Sequence, residues 1–300
     1  MRDFFTRRTI TVIAVFVLLL LGSLIYFTFY HKAKPIVSIP VEKNLGPQTS
    51  IIGKSVEGRS IEAYTYGNGE THIAFVGGIH GGYEWNSVLL AYKFIDYLDA
   101  NIDAIPKNMT VTVIPSANPD GVYKVIGKEG RFTMADVPTG VSEVPGRFNT
   151  NNVDLNRNFD CKWQATSTWQ NKIESAGSAV FSEPEVKAIR DFVLKDNPVA
   201  VIFWHSQSNA VYASECKNGV LPETLDIMNA YSKASGYKAV KTFDAYVTTG
   251  AAEDWLASIN IPAITVELET HKTIEWERNL AGILALFEYY KKSVPLKIGN

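Results

Sequence analysis

Two histidines and two glutamates stand where this 300-residue chain has the means to do chemistry. His80 is bracketed by Gly77-Gly78 and Gly81-Gly82, and Glu84 follows four residues later. An imidazole and a carboxylate one helical turn apart can reach one metal ion, and zinc accepts both ligand types. Alone, such a pair is more often a surface hydrogen bond. His205 and Glu267 change the balance, because each stands at the end of an apolar run, as His80 does. The runs are Phe75-Val76, Val199 to Trp204, and Ile261 to Val266. Three metal-capable or acid–base side chains at strand ends of one sheet would converge on one edge.

The elements that must position them follow from periodicity. The glycines after Phe75-Val76 permit tight backbone and close approach of a ligand. Behind them Asn86 to Leu98 has helical apolar spacing. Residues 51–56 and 60–66 flank Glu57-Gly58-Arg59 as a hairpin, and Met109 to Ile114 reads as a second strong strand. It ends in Pro115 to Gly121, dense in turn formers. Residues 122–182 lack periodicity and read as one long functional loop region. Ser182 then caps a helix reaching about Lys195. Further helices are expected over 221–235, around 254–258 and over 275–292. Strands alternating with helices imply an α/β domain whose mixed, largely parallel central sheet is flanked by helices.

The N-terminus is a separate unit. Ile10 to Tyr30 is 21 residues without a charged side chain, and a helix of that length is about 31 Å long, enough to span a bilayer core. Arg2, Arg7 and Arg8 precede it, which predicts a cytoplasmic 1–9 and an extracytoplasmic remainder. The run ends in bulky aromatics rather than small residues, so an uncleaved transmembrane anchor over 10–30 is expected ahead of a cleaved signal. Residues 31–50 read as a tether and 51–300 as the catalytic domain. The formal net charge of −2 gives no footprint for nucleic acid. Outside the membrane Cys161 and Cys216 are expected to pair, and closing that loop would stabilise the fold by about 4 kcal/mol on the chain-entropy model.

Taken together the motifs resemble the zinc carboxypeptidase family. The shared pattern is a glycine-rich strand end with His80 and Glu84, then Asn118-Pro119-Asp120-Gly121, Arg147, Asp154 to Phe159, His205-Ser206 and a late Glu267. Tyr246 to Trp255 is similar to the family segment that carries a mobile substrate-contacting tyrosine. His80 and Glu84 are four apart where the family usually has three, and positions i+3 and i+4 share a helix face.

The resemblance implies one Zn2+ per chain, held by His80, Glu84 and His205, with a fourth position for water. It assigns the general base to Glu267, with Glu269 the rival two residues on. It makes Arg147 the oxyanion stabiliser. Asn156, Arg157 and Tyr246 would hold the substrate's terminal carboxylate; the competing reading of Arg157 is a structural salt bridge to Asp154. Glu253 falls at the pocket floor, where an acid selects Lys, Arg or another amine-bearing C-terminal residue. A shift of register would make it a solvated helix cap instead. His31, His72 and His271 read as interfacial or surface residues.

The implied activity is that of a membrane-anchored, single-pass, extracytoplasmic metallocarboxypeptidase acting on peptides. A peptidoglycan stem-peptide amidase or carboxypeptidase of the same fold is the alternative. An aspartoacylase-type deacylase fits the motifs less well. From a different class, the competing reading is a catalytically inactive peptide-binding module.

Overall fold

The computed structural model describes residue 12, residues 17–26 and residues 46–293. Most of the expected span 10–30 lies outside them, as do 1–9, the greater part of 31–50, and His31. Within the first unit, residues 17–26 are helical. Among the described residues no helix is long and apolar enough to cross a membrane.

The second unit begins at Asn44 and is built on one eight-stranded sheet. β1 (Gln48–Lys54) and β2 (Ser60–Gly67) form the expected antiparallel hairpin. β3 (Thr71–Val76) and β4 (Met109–Ile114) follow, then β5 (Thr166–Trp169) and β6 (Lys172–Ser175) as a separate two-stranded hairpin. The main sheet is completed by β7 (Ala200–Ser206), β8 (Ala210–Ala213), β9 (Lys238–Val240) and β10 (Ala263–Leu268). Its order is β1-β2-β4-β3-β7-β10-β8-β9. The central four strands are mutually parallel, and antiparallel neighbours close both sides.

Helices cover both faces: α1 (Trp85–Ala100), α2 (Pro119–Ile126), α3 (Pro184–Asp196), α4 (Pro222–Ser235), α5 (Ala252–Ser258) and α6 (Trp276–Ser293). Successive side chains of a strand point to opposite faces, and β7 shows it. Ala200, Ile202 and Trp204 enter the core beneath α1, α4 and α6, whereas Val201 and Phe203 enter the core beneath α3 and α5. Trp204 stacks on Phe75 at 5.2 Å and meets Phe94 of α1 edge-on. That packing locks the middle of the sheet to the helix behind His80.

Several local expectations are corrected. Asn118-Pro119-Asp120-Gly121 is not a turn but the start of α2: the Asn118 side chain accepts from Gly121 N–H at 2.8 Å and Pro119 sits in the first turn. The same residue types serve turns and helix starts, which is why composition could not separate them. Residues 122–182 therefore contain the end of a helix and the β5–β6 hairpin. Ser182 does not cap α3; Glu183 occupies that place ahead of Pro184, and the Ser182 hydroxyl donates to it. Cys161 and Cys216 are bonded, with Cα atoms 6.0 Å apart.

Candidate metal centre

β3 delivers His80 through Gly77-Gly78, and the chain then makes a single 3-10 turn, Gly81–Glu84, before α1. The family-like spacing is longer by one residue here, and Gly81, with φ +46°, stands in that turn. His80 Nδ1 lies 2.7 Å from Glu84 Oε1. His80 therefore stands before the helix rather than on it, and the 3-10 turn, not a shared α-helical face, brings the pair together. β7 supplies His205, whose Nδ1 is 3.0 Å from Glu84 Oε2 and 3.3 Å from His80 Nδ1. All three residues are buried, and their ligating atoms lie within 4.8 Å of one another.

The donor set fits a cation. Two imidazole nitrogens and a buried carboxylate face one point, and Glu84 Oε2 has no aligned hydrogen bond there. Burial opposes ionisation of Glu84, but His80 and His205 hold its carboxyl below the usual range. Burial would likewise lower His205, yet Glu84 pulls it up to about 9. Both shifts have one cause, the close approach of the Glu84 carboxylate to the two imidazoles. Zinc takes this N, N, O set in catalytic centres that keep one position open.

Glu267 is the register partner of His205 on the adjacent parallel strand, so both side chains project from the same face. Burial pushes Glu267 up to about 8, with Glu84 and Glu253 adding to the shift and His205 opposing it. Glu269 lies beyond the end of β10, exposed, 3.5 Å from Arg278. It does not share the site.

Asp154 ties the centre together. Its Oδ1 is 3.3 Å from His80 Nε2 and accepts from Asn156 N–H at 2.9 Å; its Oδ2 accepts from Arg147. Burial raises its carboxyl, and Arg147 and His80 more than offset this, holding it well below the carboxylate range. With Asp154 beside Nε2, His80 presents Nδ1 toward Glu84 and His205, the arrangement a metal-ligating histidine takes. The sequence reading placed Asp154 in a motif without giving it this work.

Arg147 is buried with its guanidinium 4.6 Å over Trp169, and shares a recess with Glu267, Tyr246 and His80. Arg157 does not pair with Asp154. Its Nε reaches Glu174 Oε1 at 3.3 Å and Ser167 Oγ at 3.2 Å. Glu174, from β6, also lies 3.7 Å from Arg147, and burial with the neighbouring Asp154 pushes it up to about 6. No sequence signal marked Glu174, since β6 has no periodicity. Asn156 Oδ1 accepts from Ala252 N–H at 2.8 Å, which anchors the start of α5 to the site.

Tyr246 is about half exposed at the rim. Glu253 lines a recess of about 90 Å3 together with Arg157, Lys162, Glu215, Asp254 and Glu267. Its Oε2 is buried without a hydrogen bond, so it is not a solvated cap. His72 and His271 are not plain surface residues. His72 Nε2 contacts Thr112 Oγ1 at 2.8 Å, and His271 Nδ1 lies 2.7 Å from Ser206 Oγ, whose hydroxyl donates to Asn86 Oδ1, beside the Arg147 recess.

Residues 47–284 match the family model described as zinc carboxypeptidase. A curated relative is gamma-D-glutamyl-L-diamino acid endopeptidase 1 of Lysinibacillus sphaericus, 26% identical over 243 residues, covering 74% of this chain and 60% of that protein. The chain thus spans about three-fifths of that relative's length. Among solved structures, thrombin activatable fibrinolysis inhibitor superposes with a TM-score of 0.68 at 20% identity, over 84% of this chain and 71% of the other. Murein-tripeptide amidase from Escherichia coli O157 gives 0.58 at 20% identity, over 83% and 93%. At that identity the two structures speak for the fold alone.

Proposed function

Since the chain belongs to the zinc carboxypeptidase family, we propose that this metallocarboxypeptidase removes C-terminal residues bearing an amine, from peptides or from cell-wall stem peptides. His80, Glu84 and His205 would hold one zinc ion. Zinc bound there would polarise a carbonyl oxygen and make a water nucleophilic at neutral pH.

The chain's own residues do the rest. Glu267 takes the proton of the attacking water on its carboxylate and returns it to the leaving amine. A carboxyl raised by burial is suited to both halves of that task. Arg147, fixed by Asp154 and Trp169, presents a cation toward the charge that develops on the scissile carbonyl. Arg157 and Asn156 orient the terminal carboxylate, Tyr246 closes over it and excludes water, and Glu253 draws an ammonium into the recess. The observation that carries this reading is the register pairing of Glu267 with His205 opposite Glu84.

The unpaired acid Glu253 in the recess favours an amine-bearing C-terminal residue, such as stem peptides ending in a diamino acid supply. The names of two similar proteins, a diamino acid endopeptidase and a murein-tripeptide amidase, point the same way. An inactive binding module would have no need of Glu267 beside an assembled ligand set. We further propose that 10–30 anchors the chain in a membrane with 51–300 outside as one catalytic domain; the Cys161–Cys216 bond supports an oxidising compartment. Extraction of the full chain from membranes by alkaline carbonate would overturn the anchor.

Glu267→Gln tests the chemistry. It should lower kcat by about 10²–10⁴ with zinc still near one per chain and KM little changed. Undiminished turnover would remove Glu267 from the reaction.

A further inference from the structure

We propose that His271 holds the substrate on the acyl side of the scissile bond, its Nε2 accepting a hydrogen bond from a main-chain N–H. The inference rests on the carboxypeptidase reading above and adds to it a residue which that reading does not use.

Two recesses meet at the metal centre. The one of about 90 Å3 is lined by Asn156, Arg157 and Glu253, and a second, of about 340 Å3, by His271, Tyr83, Arg147, Trp169 and Gln207. His80, Tyr246 and Glu267 line both. A C-terminal residue held by Asn156 and Arg157 fills the first recess. The second is then left for the chain that precedes the scissile bond.

The hydrogen bonds around His271 decide what its ring can offer there. Asn86, in the first turn of α1, donates from Nδ2 to Thr270 O at 2.6 Å and to Thr273 O at 2.9 Å. Carbonyls only accept, so the oxygen of that amide is the atom left to face Ser206. Ser206 Oγ donates its single hydrogen to Asn86 Oδ1 at 3.0 Å. His271 Nδ1, 2.7 Å from the same hydroxyl, must therefore be the donor of that contact. Burial lowers the pKa of His271 and outweighs Glu84 and Glu143, which act to raise it, so the ring is neutral. In a neutral imidazole whose Nδ1 carries the hydrogen, Nε2 is a bare acceptor.

The ring is also held in place. Asn86 and Ser206 are both buried, one on the helix behind His80 and the other at the end of β7. Tyr83 packs against the imidazole with centroids 4.6 Å apart. No hydrogen bond of Nε2 occurs among the described residues. A fixed acceptor in a partly buried recess favours a donor and opposes another acceptor, since two lone pairs facing each other leave both unsatisfied.

The test uses the full-length, zinc-loaded chain and three peptides of one sequence. One is unmodified; in the other two an ester oxygen replaces the main-chain N–H of the penultimate or the antepenultimate residue. The wild type should cleave the unmodified peptide with kcat/KM about 10-fold above one of the two esters. In His271→Leu that ratio should fall to near one, and in His271→Gln, whose amide oxygen can accept, part of it should return. A wild type that does not distinguish the peptides would overturn the proposal. So would a ratio that survives in His271→Leu, because a merely structural histidine would slow all three peptides alike. The tautomer is read separately from the nitrogen chemical shifts of labelled histidine, and hydrogen on Nε2 of His271 would overturn the proposal. Should no peptide turn over, the carboxypeptidase reading falls, and binding is measured on zinc-loaded Glu267→Gln with and without His271→Leu. A preference for the unmodified peptide that needs His271 still supports the acceptor; binding indifferent to His271 overturns it.

Discussion

The candidate metal centre and the recess beside Glu253 are neighbours built by different means. His205 and Glu267 lie on β7 and β10 and His80 stands just past the end of β3, at the doubly covered middle of the sheet, where Phe75 and Trp204 stack. Arg157 and Lys162 instead come from the irregular chain ahead of the β5–β6 hairpin, Tyr246 from the loop ahead of α5, and Glu253 from the first turn of α5. There a disulfide and buried ion pairs take the place of a sheet. On the proposed roles, the two histidines and the base sit at strand ends, and the side chains that would set selectivity sit on connections that can be altered without disturbing those ends.

That division can be broken or sharpened by substitution. Asp154→Asn strikes the join between the two regions, because Asp154 orients His80 and anchors Arg147 at once. Zinc affinity should fall by about 10–100-fold, measured by competition with a chelator; an unchanged affinity would mean that the strands alone orient the ligands. Replacing Cys161 and Cys216 by Ser should lower unfolding free energy by up to about 4 kcal/mol. Zinc content should stay near one per chain while the preference among C-terminal residues narrows several-fold. Loss of zinc in this variant would show that the two regions are not separable.

The smallest effect is expected from Glu174→Gln. Glu174 sits between Arg147 and Arg157 and ionises only as pH passes about 6, against an ordinary 4.5. Above that pH its carboxylate competes with a substrate's for Arg157, so KM should rise with pH across 5 to 7 in the wild type and stay flat in the variant. The folded chain keeps this proton where the unfolded chain has lost it. Stability from the group is therefore present below about 4.5 and lost as pH rises through about 6. A melting temperature of the wild type that rises over the window, relative to the variant, would refute the assignment.

The contrast also explains what the sequence disclosed. β3, β7 and β10 announce themselves as apolar runs because both faces are buried, and the residues at their ends were readable with them. Glu174 and Trp169 lie in a four-residue-per-strand hairpin rich in Ser and Thr, too short for a period. β8 and β9 escaped notice for the same reason. Asp154 and Lys162 were visible as residues, but their partners are distant in sequence, and only the fold shows that His80 is one of them. His271 looked unremarkable until the chain brought Ser206 and Tyr83 against it.

One further consequence follows from the glycines behind the ligands. An added Cβ at Gly81 would come within 2.6 Å of Gly146 O and 2.9 Å of Gly121 Cα; at Gly146 it would stand 2.8 Å from Tyr83 N. Three chain segments thus touch main chain to main chain, one step from His80 at one end and one step from Arg147 at the other. Side-chain spacers have rotamers and can be swapped in size; a spacer made of peptide groups has neither freedom. The interval between the ligand histidine and the arginine therefore behaves as a fixed gauge, inherited whole by any variant that folds, whatever its pocket has come to accept.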